Sequence, residues 1–371
     1  MRFTIFSHVE HLKSGDEYFA YEPYVREMNI WLKYVDEVEI VAPLKLKKKP
    51  KIEISYQHSS LHFTRVALIN FLSLPNAFIS FLKLPLLCFK IFKAMSRADH
   101  IHIRCPGNIG LLACMVQVFF PKKPKTAKYA GNWDPNAKQP RSYKFQKWIL
   151  NNTFLTRNIQ VLVYGTWAGQ SANIVSFFTA SFSETEKKDF KKDFSVPHKF
   201  VFVGTLSEGK RPLFASRIIQ ELYNTGKQVE LDIYGDGVLK ESLAQYIASG
   251  KLARVVKLHG NRPLNEIKEA YQKSHFIILP SRSEGWPKAL AEGMFYGCIP
   301  IATPVSCIPW MLDYGKRGIL IGEELKSAVS IVKSHIESKE KLKSVSAAAR
   351  IWSQEYTLEK FETEIKRILE T

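Results

Sequence analysis

The chain's order of elements predicts an α/β fold built from two parallel-sheet domains, and three observations carry that prediction. Short apolar runs rich in β-branched and aromatic residues alternate with helical stretches. The alternation occurs in two complete sets, with 371 residues to supply two separate cores. The stretch Ser181–His198 between the sets is charged, polar and poorly periodic, as an interdomain region would be. Strand–helix alternation of this kind implies parallel strands with helices on both faces of each sheet.

In the first set the candidate strands are Phe3–Ser7, Glu37–Ala42, Leu61–Arg65, His100–Arg104, Thr126–Tyr129 and Ile159–Tyr164. In the second they are Lys199–Gly204, Val229–Tyr234, Val255–His259, Phe276–Leu279 and Ile299–Ala302. Amphipathic helices follow most of the second set; Arg211–Asn224 is stopped by Gly226 and Lys240–Ala248 by Gly250. The segment Leu68–Met95 is strongly apolar but is interrupted by Lys83, Lys90, Lys93, Pro75 and Pro85. A membrane-spanning helix wants about 20 apolar residues with few charges, and this segment fails that test. Two readings remain: a helix packed on the first sheet, or an interfacial element whose lysines reach lipid headgroups.

The net charge is +18, and residues 45–150 hold 19 Lys or Arg against 3 Asp or Glu. The run Lys47, Lys48, Lys49 and the cluster Lys122, Lys123, Lys125, Lys128 are the densest points. Such a surface suits nucleic acid, an anionic membrane, an anionic substrate or simply solvent. No nucleic-acid-binding motif accompanies it, so nucleic acid is not expected as a partner. Cys88, Cys105, Cys114, Cys298 and Cys307 are odd in number and scattered, which predicts reduced, buried thiols rather than disulfides or zinc. The start MRFTIFSHVEH reads as a first strand rather than an export signal, so the expected location is cytoplasmic.

The most specific stretch is FIILPSRSEGWPKALAEGMFYGCIPIAT, Phe276–Thr303. A buried strand ends at Leu279, a loop follows over Pro280–Trp286, and Pro287 suits the first position of a helix ending at Gly297. Glu284 in the loop and Glu292 in the helix are eight positions apart and can share the crevice beyond the strand end. The helix start offers N–H groups at Gly285 and Trp286 to a phosphate, and carboxylates accept well from vicinal hydroxyls.

This string resembles the E-x7-E region of retaining GT-B glycosyltransferases, particularly glycosyltransferase family 4. The matching positions are Pro280, Ser281, Glu284, Gly285, Glu292, Gly297 and Pro300. KFVFVGTLSEGKRP, Lys199–Pro212, resembles the family's strand and glycine loop with a following lysine, and VELDIYGDG, Val229–Gly237, its next strand and turn. The resemblance covers about Phe200–Ile321; earlier residues resemble the family only in their alternation. It implies two facing Rossmann-like domains with an interdomain cleft. They would be an acceptor-side domain over 1–185, a nucleotide-sugar domain over 186–350, and a last helix over 351–371 packing back on the first.

The implied activity is transfer of a sugar from a nucleoside-diphosphate sugar to an acceptor hydroxyl with retention, in cell-surface polysaccharide or glycolipid assembly. On that resemblance Lys210 and Glu284 are the catalytic candidates. Gly204, Thr205, Lys210, Arg211, Gly235, Arg262, Ser281, Gly285, Trp286, Pro287, Lys288 and Glu292 are the donor-binding ones. Gly15, Arg104, Asn108, Asn132, Trp133 and Asp134 are expected on the acceptor side. Lone His102 reads as a structural strand residue.

No DxD-type site is present, so neither a metal nor a cofactor is expected beyond the nucleotide-sugar substrate. A carbohydrate or lipid-linked acceptor and an anionic membrane surface are the expected partners, with a peripheral place on the inner face of the membrane. Two departures stand out. Thr205 occupies the position where the family often has arginine, and Lys128–Pro135 lacks the family's frequent histidine. A non-catalytic partner subunit or a nucleotide-sugar epimerase of the same fold would also fit these residues.

Overall fold

The computed structural model describes residues 1–45, 53–69 and 74–370. The expected basic run Lys47, Lys48, Lys49 lies outside the described residues. The chain divides into two compact units: Met1–Phe178 with the C-terminal residues from Glu362, and Thr179–Phe361.

The first unit runs β1 (Arg2–Phe6), β2 (His11–Ser14), β3 (Glu17–Tyr21), α1 (Glu22–Leu32), β4 (Glu37–Lys45), β5 (Glu53–Ser55), β6 (Leu61–Val66), α2 (Leu74–Arg97), β7 (His100–Cys105), α3 (Asn108–Val116), β8 (Lys125–Tyr129), α4 (Arg141–Asn151), β9 (Ile159–Tyr164) and β10 (Ile174–Phe177). Its strand order is β10-β9-β8-β7-β1-β4-β2-β3-β5, with β6 paired to β4. From β10 to β4 the strands are parallel, and β9, β8, β7, β1 and β4 are buried almost without alternation, as strands covered on both faces should be. One face is covered by α2, α3 and α4, whose Ile91, Met95, Ile109, Ala113, Ile149 and Leu150 pack with Ile101, Ile103 and Val161 in one core.

The expectation of purely parallel pairing needs correction here. After β1 the chain forms an antiparallel β2–β3 hairpin, and β5 extends it antiparallel from β3. Gly15, expected on the acceptor side, is the hairpin's tight turn at φ 61°, with open space where a Cβ would sit. The hairpin was hidden in sequence because its strands are short and half polar.

The basic cluster is also corrected. Lys125 and Lys128 lie on β8 and are buried. Lys128 Nζ donates to Phe178 O at 2.9 Å and lies 4.2 Å from the Phe177 ring centre. Lys125 Nζ donates to Phe120 O at 2.6 Å, and burial brings its pKa down to about 8. Among the four lysines, Lys122 is the exposed one and Lys123 is half-buried, donating to Ser96 O at 2.8 Å and to Ala98 O.

The second unit runs β11 (His198–Val203), α5 (Pro212–Asn224), β12 (Val229–Tyr234), α6 (Lys240–Ser249), β13 (Val256–Gly260), α7 (Leu264–Lys273), β14 (Phe276–Leu279), α8 (Lys288–Phe295), β15 (Ile299–Ala302), α9 (Ile308–Met311), β16 (Ile319–Leu320), α10 (Leu325–His335) and α11 (Lys339–Ser353). The last helix, α12 (Leu358–Glu370), begins here and ends among the residues grouped with the first unit. The sheet order β13-β12-β11-β14-β15-β16 is parallel throughout and reverses direction of winding between β11 and β14. In such sheets ligands bind beyond the strand C-termini at that reversal.

Candidate functional site

Strands β11, β12 and β14 are adjacent and parallel, so the loops that leave their C-terminal ends gather at one edge of the second unit. Backbone hydrogen bonds tie them together. Gly204 N donates to Tyr234 O at 3.0 Å, Leu206 N to Asp236 O at 3.0 Å, and Arg282 N to Gly209 O at 2.8 Å. Gly235 has φ 138°, and a Cβ there would lie 1.9 Å from Gly204 O. Glycine at 235 is therefore what lets the two loops touch.

This edge brings Lys210 and Glu284 together across 74 positions of sequence. Lys210 Nζ donates to both carboxylate oxygens of Glu284, at 2.6 and 2.8 Å. The Glu284 side chain is 5% exposed and that of Lys210 31%, so the carboxylate is sealed while the cation keeps a path to solvent. Behind Glu284, Cys307 Sγ donates to Gly285 O at 3.2 Å, and burial with the nearby Glu284 charge raises its thiol pKa to about 12.

Glu292 on α8 is held separately. Ser181 Oγ donates to its Oε1 at 2.6 Å and Tyr271 OH to its Oε2 at 3.1 Å. Neither donor stands out in the sequence. Tyr271 reads as one more buried-face residue of α7, and Ser181 falls in the stretch taken as linker. A small cavity beside Glu292 is lined by Lys288, Trp286, Ser181, Ser353 and Tyr356.

The other donor-side candidates have mixed environments. Arg211 adopts φ 56° before α5, lies 4.1 Å from the Phe214 ring centre, and keeps Nη1 buried with no partner among the described residues. Burial lowers its pKa. Ser281 is buried, its hydroxyl has no partner among the described residues, and its carbonyl accepts from Thr303 Oγ1. Thr205 is exposed. Arg262 Nε donates to His259 O at 2.9 Å and its guanidinium lies 3.7 Å from Glu266.

One expectation about the start of α8 is corrected. Pro287 is the residue preceding the helix rather than its first, and Lys288 N donates back to Trp286 O at 2.8 Å. Trp286 is buried in a cluster with Trp310, Trp352 and Tyr356, so its side chain is a packing element.

In the first unit the acceptor-side candidates are engaged with the protein. Arg104 pairs with Glu27 at 3.4 Å and lies over Tyr24, and Asn108 Nδ2 donates to Ile69 O at 3.0 Å. Trp133, expected to line the acceptor side, is instead buried in the core, edge-on to Tyr129. Asn132 and Asp134 accept from the backbone N–H of Asp134 and Asn136, shaping the turn between them. His102 is buried against Thr126 at 2.8 Å, and burial pushes its pKa well down. Among the described residues no group of three or more His, Cys, Asp or Glu is placed to hold a metal ion.

These two Rossmann-like units define a protein of the GT-B fold class. Across the whole chain the fold matches that of Anabaena HepE, solved with UDP and glucose, at TM-score 0.67 and 16% identity, covering 100% of this chain and 99% of that one. It also matches sucrose-phosphate synthase from Thermosynechococcus elongatus, at TM-score 0.65 and 12% identity, covering 100% and 98%.

Residues 184–352, most of the second unit, match the family described as glycosyl transferases group 1. The amylovoran biosynthesis glycosyltransferase AmsK of Erwinia amylovora is 31% identical over 142 residues, 37% of this chain and 35% of that protein. The putative colanic acid biosynthesis glycosyltransferase WcaL of Salmonella typhimurium is 28% identical over 141 residues, 36% and 35% respectively. The matched segment thus spans about a third of the length of these relatives.

Proposed function

We propose that this protein is a retaining glycosyltransferase. It would move a sugar from a nucleoside-diphosphate sugar to a hydroxyl of a carbohydrate or lipid-linked acceptor, in cell-surface polysaccharide or glycolipid assembly. The observation that carries the reading is the Lys210–Glu284 pair, formed at the strand ends of a glycosyl transferases group 1 domain. The names of the relatives, which concern amylovoran and colanic acid, support the polysaccharide setting.

In this reading the donor diphosphate takes over Lys210 from Glu284. The cation then meets the charge that grows on the departing phosphate, which is electrostatic stabilisation where charge develops. Glu284, released from the lysine, accepts from hydroxyls of the transferred sugar. Glu292, fixed by Tyr271 and Ser181, accepts from the ribose hydroxyls. Arg211, whose Nη1 has no partner among the described residues, supplies the second cation that Thr205 does not. The acceptor is met at an anionic membrane surface to which the protein attaches peripherally.

Screening nucleoside-diphosphate sugars with mass detection of product tests the reading. A glycosylated acceptor with release of nucleoside diphosphate is the expected result. Tight donor binding without turnover would favour a non-catalytic partner subunit, the reading that Thr205 in place of arginine leaves open.

A further inference from the structure

Helix α2 has two apolar faces, and among the described residues only one of them is covered. Leu87, Ile91, Ala94 and Met95 are buried against the sheet. Phe78, Phe81, Leu82, Leu86 and Phe89 are each 61–67% exposed, and Phe92 is 44% exposed. At about 100° per residue these six fall within an arc of roughly 140° on the side away from the core. Exposed Lys93 falls inside the same arc and Lys83 flanks it. The strip continues off the helix: Phe92 lies 6.3 Å from Phe119, which is 73% exposed. Contiguous exposed aromatics on this scale are not a solvated surface.

The charge around the strip says what covers it. Between Glu53 and Glu184 the chain has 15 Lys or Arg and only two acidic residues, Asp99 and Asp134. Helices α2, α3 and α4, which form the outer layer on this face of the sheet, contain no acidic residue at all. A second copy packing strip to strip would bring like charges together, because a two-fold interface apposes the same patch. An anionic lipid surface meets both features at once, with the rings entering the headgroup–acyl boundary and the lysines meeting lipid phosphate. Among the described residues no helix is long and apolar enough to cross a membrane, so the helix would lie along the surface.

We infer that the outer face of α2, continued by Phe119, is a membrane-docking surface that inserts an aromatic strip into anionic lipid. This deepens the peripheral attachment proposed above and rests on that reading for its biological setting. It differs from a purely electrostatic contact in one measurable way. Charge attraction fades with salt, whereas ring insertion does not, so part of the binding survives high salt.

The test is flotation of the 371-residue chain with phosphatidylglycerol–phosphatidylcholine vesicles, beside phosphatidylcholine alone, at low and high salt. Wild type should float with the acidic vesicles and keep a measurable fraction bound at high salt. Phe81→Ser combined with Phe89→Ser should lower the partition coefficient about tenfold or more and remove the salt-resistant fraction. Lys83→Gln combined with Lys93→Gln should weaken binding mainly at low salt. All these side chains are exposed, so both variants should keep the wild-type melting temperature. Flotation unchanged by the serine substitutions, no flotation of wild type, or a concentration-dependent dimer abolished by them would overturn the inference. Donor binding measured by calorimetry on the same samples separates the two proposals. It should be unaffected by the substitutions, and its absence in a protein that floats would sink the transferase reading alone.

Discussion

Lys210 Nζ reaches both carboxylate oxygens of Glu284 from a loop that leaves a neighbouring strand, at 2.6 and 2.8 Å. The pair keeps a buried carboxylate satisfied, and its cation is the more exposed member. It is therefore placed to exchange one anion for another, carboxylate for phosphate.

Lys210→Ala should weaken binding of the nucleoside diphosphate far more than that of the bare nucleoside. A hydrogen bond to a charged group contributes about 1.5–3 kcal/mol, so a loss of roughly ten- to hundredfold is expected. Glu284→Gln should lower turnover more than donor affinity. Calorimetry with both ligands and initial rates on both variants check this; equal losses for nucleoside and diphosphate would exclude a phosphate role for Lys210.

Tyr271→Phe removes one of the two hydroxyls that hold Glu292 and leaves the ring's packing in place. The expected effect is a loss of donor affinity of roughly tenfold, seen in KM with little change in kcat. Ser181→Ala should act in the same direction. A fall in kcat at constant KM would mean that Glu292 serves the reaction and not the donor.

Much of this site could be read in the sequence because its parts are local. Glu284, Glu292 and the strand–loop–helix around them lie within one 28-residue string, Phe276–Thr303. The glycines at 204 and 235 likewise mark strand ends. What stayed hidden depends on long-range partners. Tyr271 and Ser181 become donors to Glu292 only through folding, and nothing in their neighbours' spacing reports it. Trp133 looked like a ligand contact because it sits between polar residues, yet Tyr129 and the α4 side draw it into the core. Lys125 and Lys128 looked like surface charge, because a period-2 strand pattern does not show that carbonyls wait at the end of each side chain. The β2–β3 hairpin escaped because Lys13, Ser14, Glu17 and Tyr18 lack the apolar run by which strands are recognised.

Gly235→Ala should be strongly destabilising, since its Cβ would meet the Gly204 carbonyl oxygen at 1.9 Å, a backbone atom that cannot swing aside. Gly209→Ala is the control, because its Cβ would meet nothing nearer than Ser207 Oγ at 3.9 Å. Thermal unfolding should separate the two clearly. Equal melting temperatures would mean that the two loops do not touch in solution as described.

Stability should fall in mild acid, before the carboxylates begin to titrate. His11, His100 and His275 are buried, and burial brings each pKa down to about 4, from an ordinary value of 6.5. Between those values the unfolded chain binds protons that the folded chain refuses. Linkage then makes stability rise with pH across that window, so the contribution is complete above about pH 6.5 and is lost as pH falls toward 4. Each histidine can add a slope of at most about 1.4 kcal/mol per pH unit. The melting temperature should therefore drop steadily between pH 6.5 and pH 5. His100→Asn removes one titrating ring, so its melting temperature should change less over the same interval, whatever it costs at neutral pH. A wild-type melting temperature that is flat from pH 6.5 to pH 5 would mean that these rings take up protons in the folded state, against their burial.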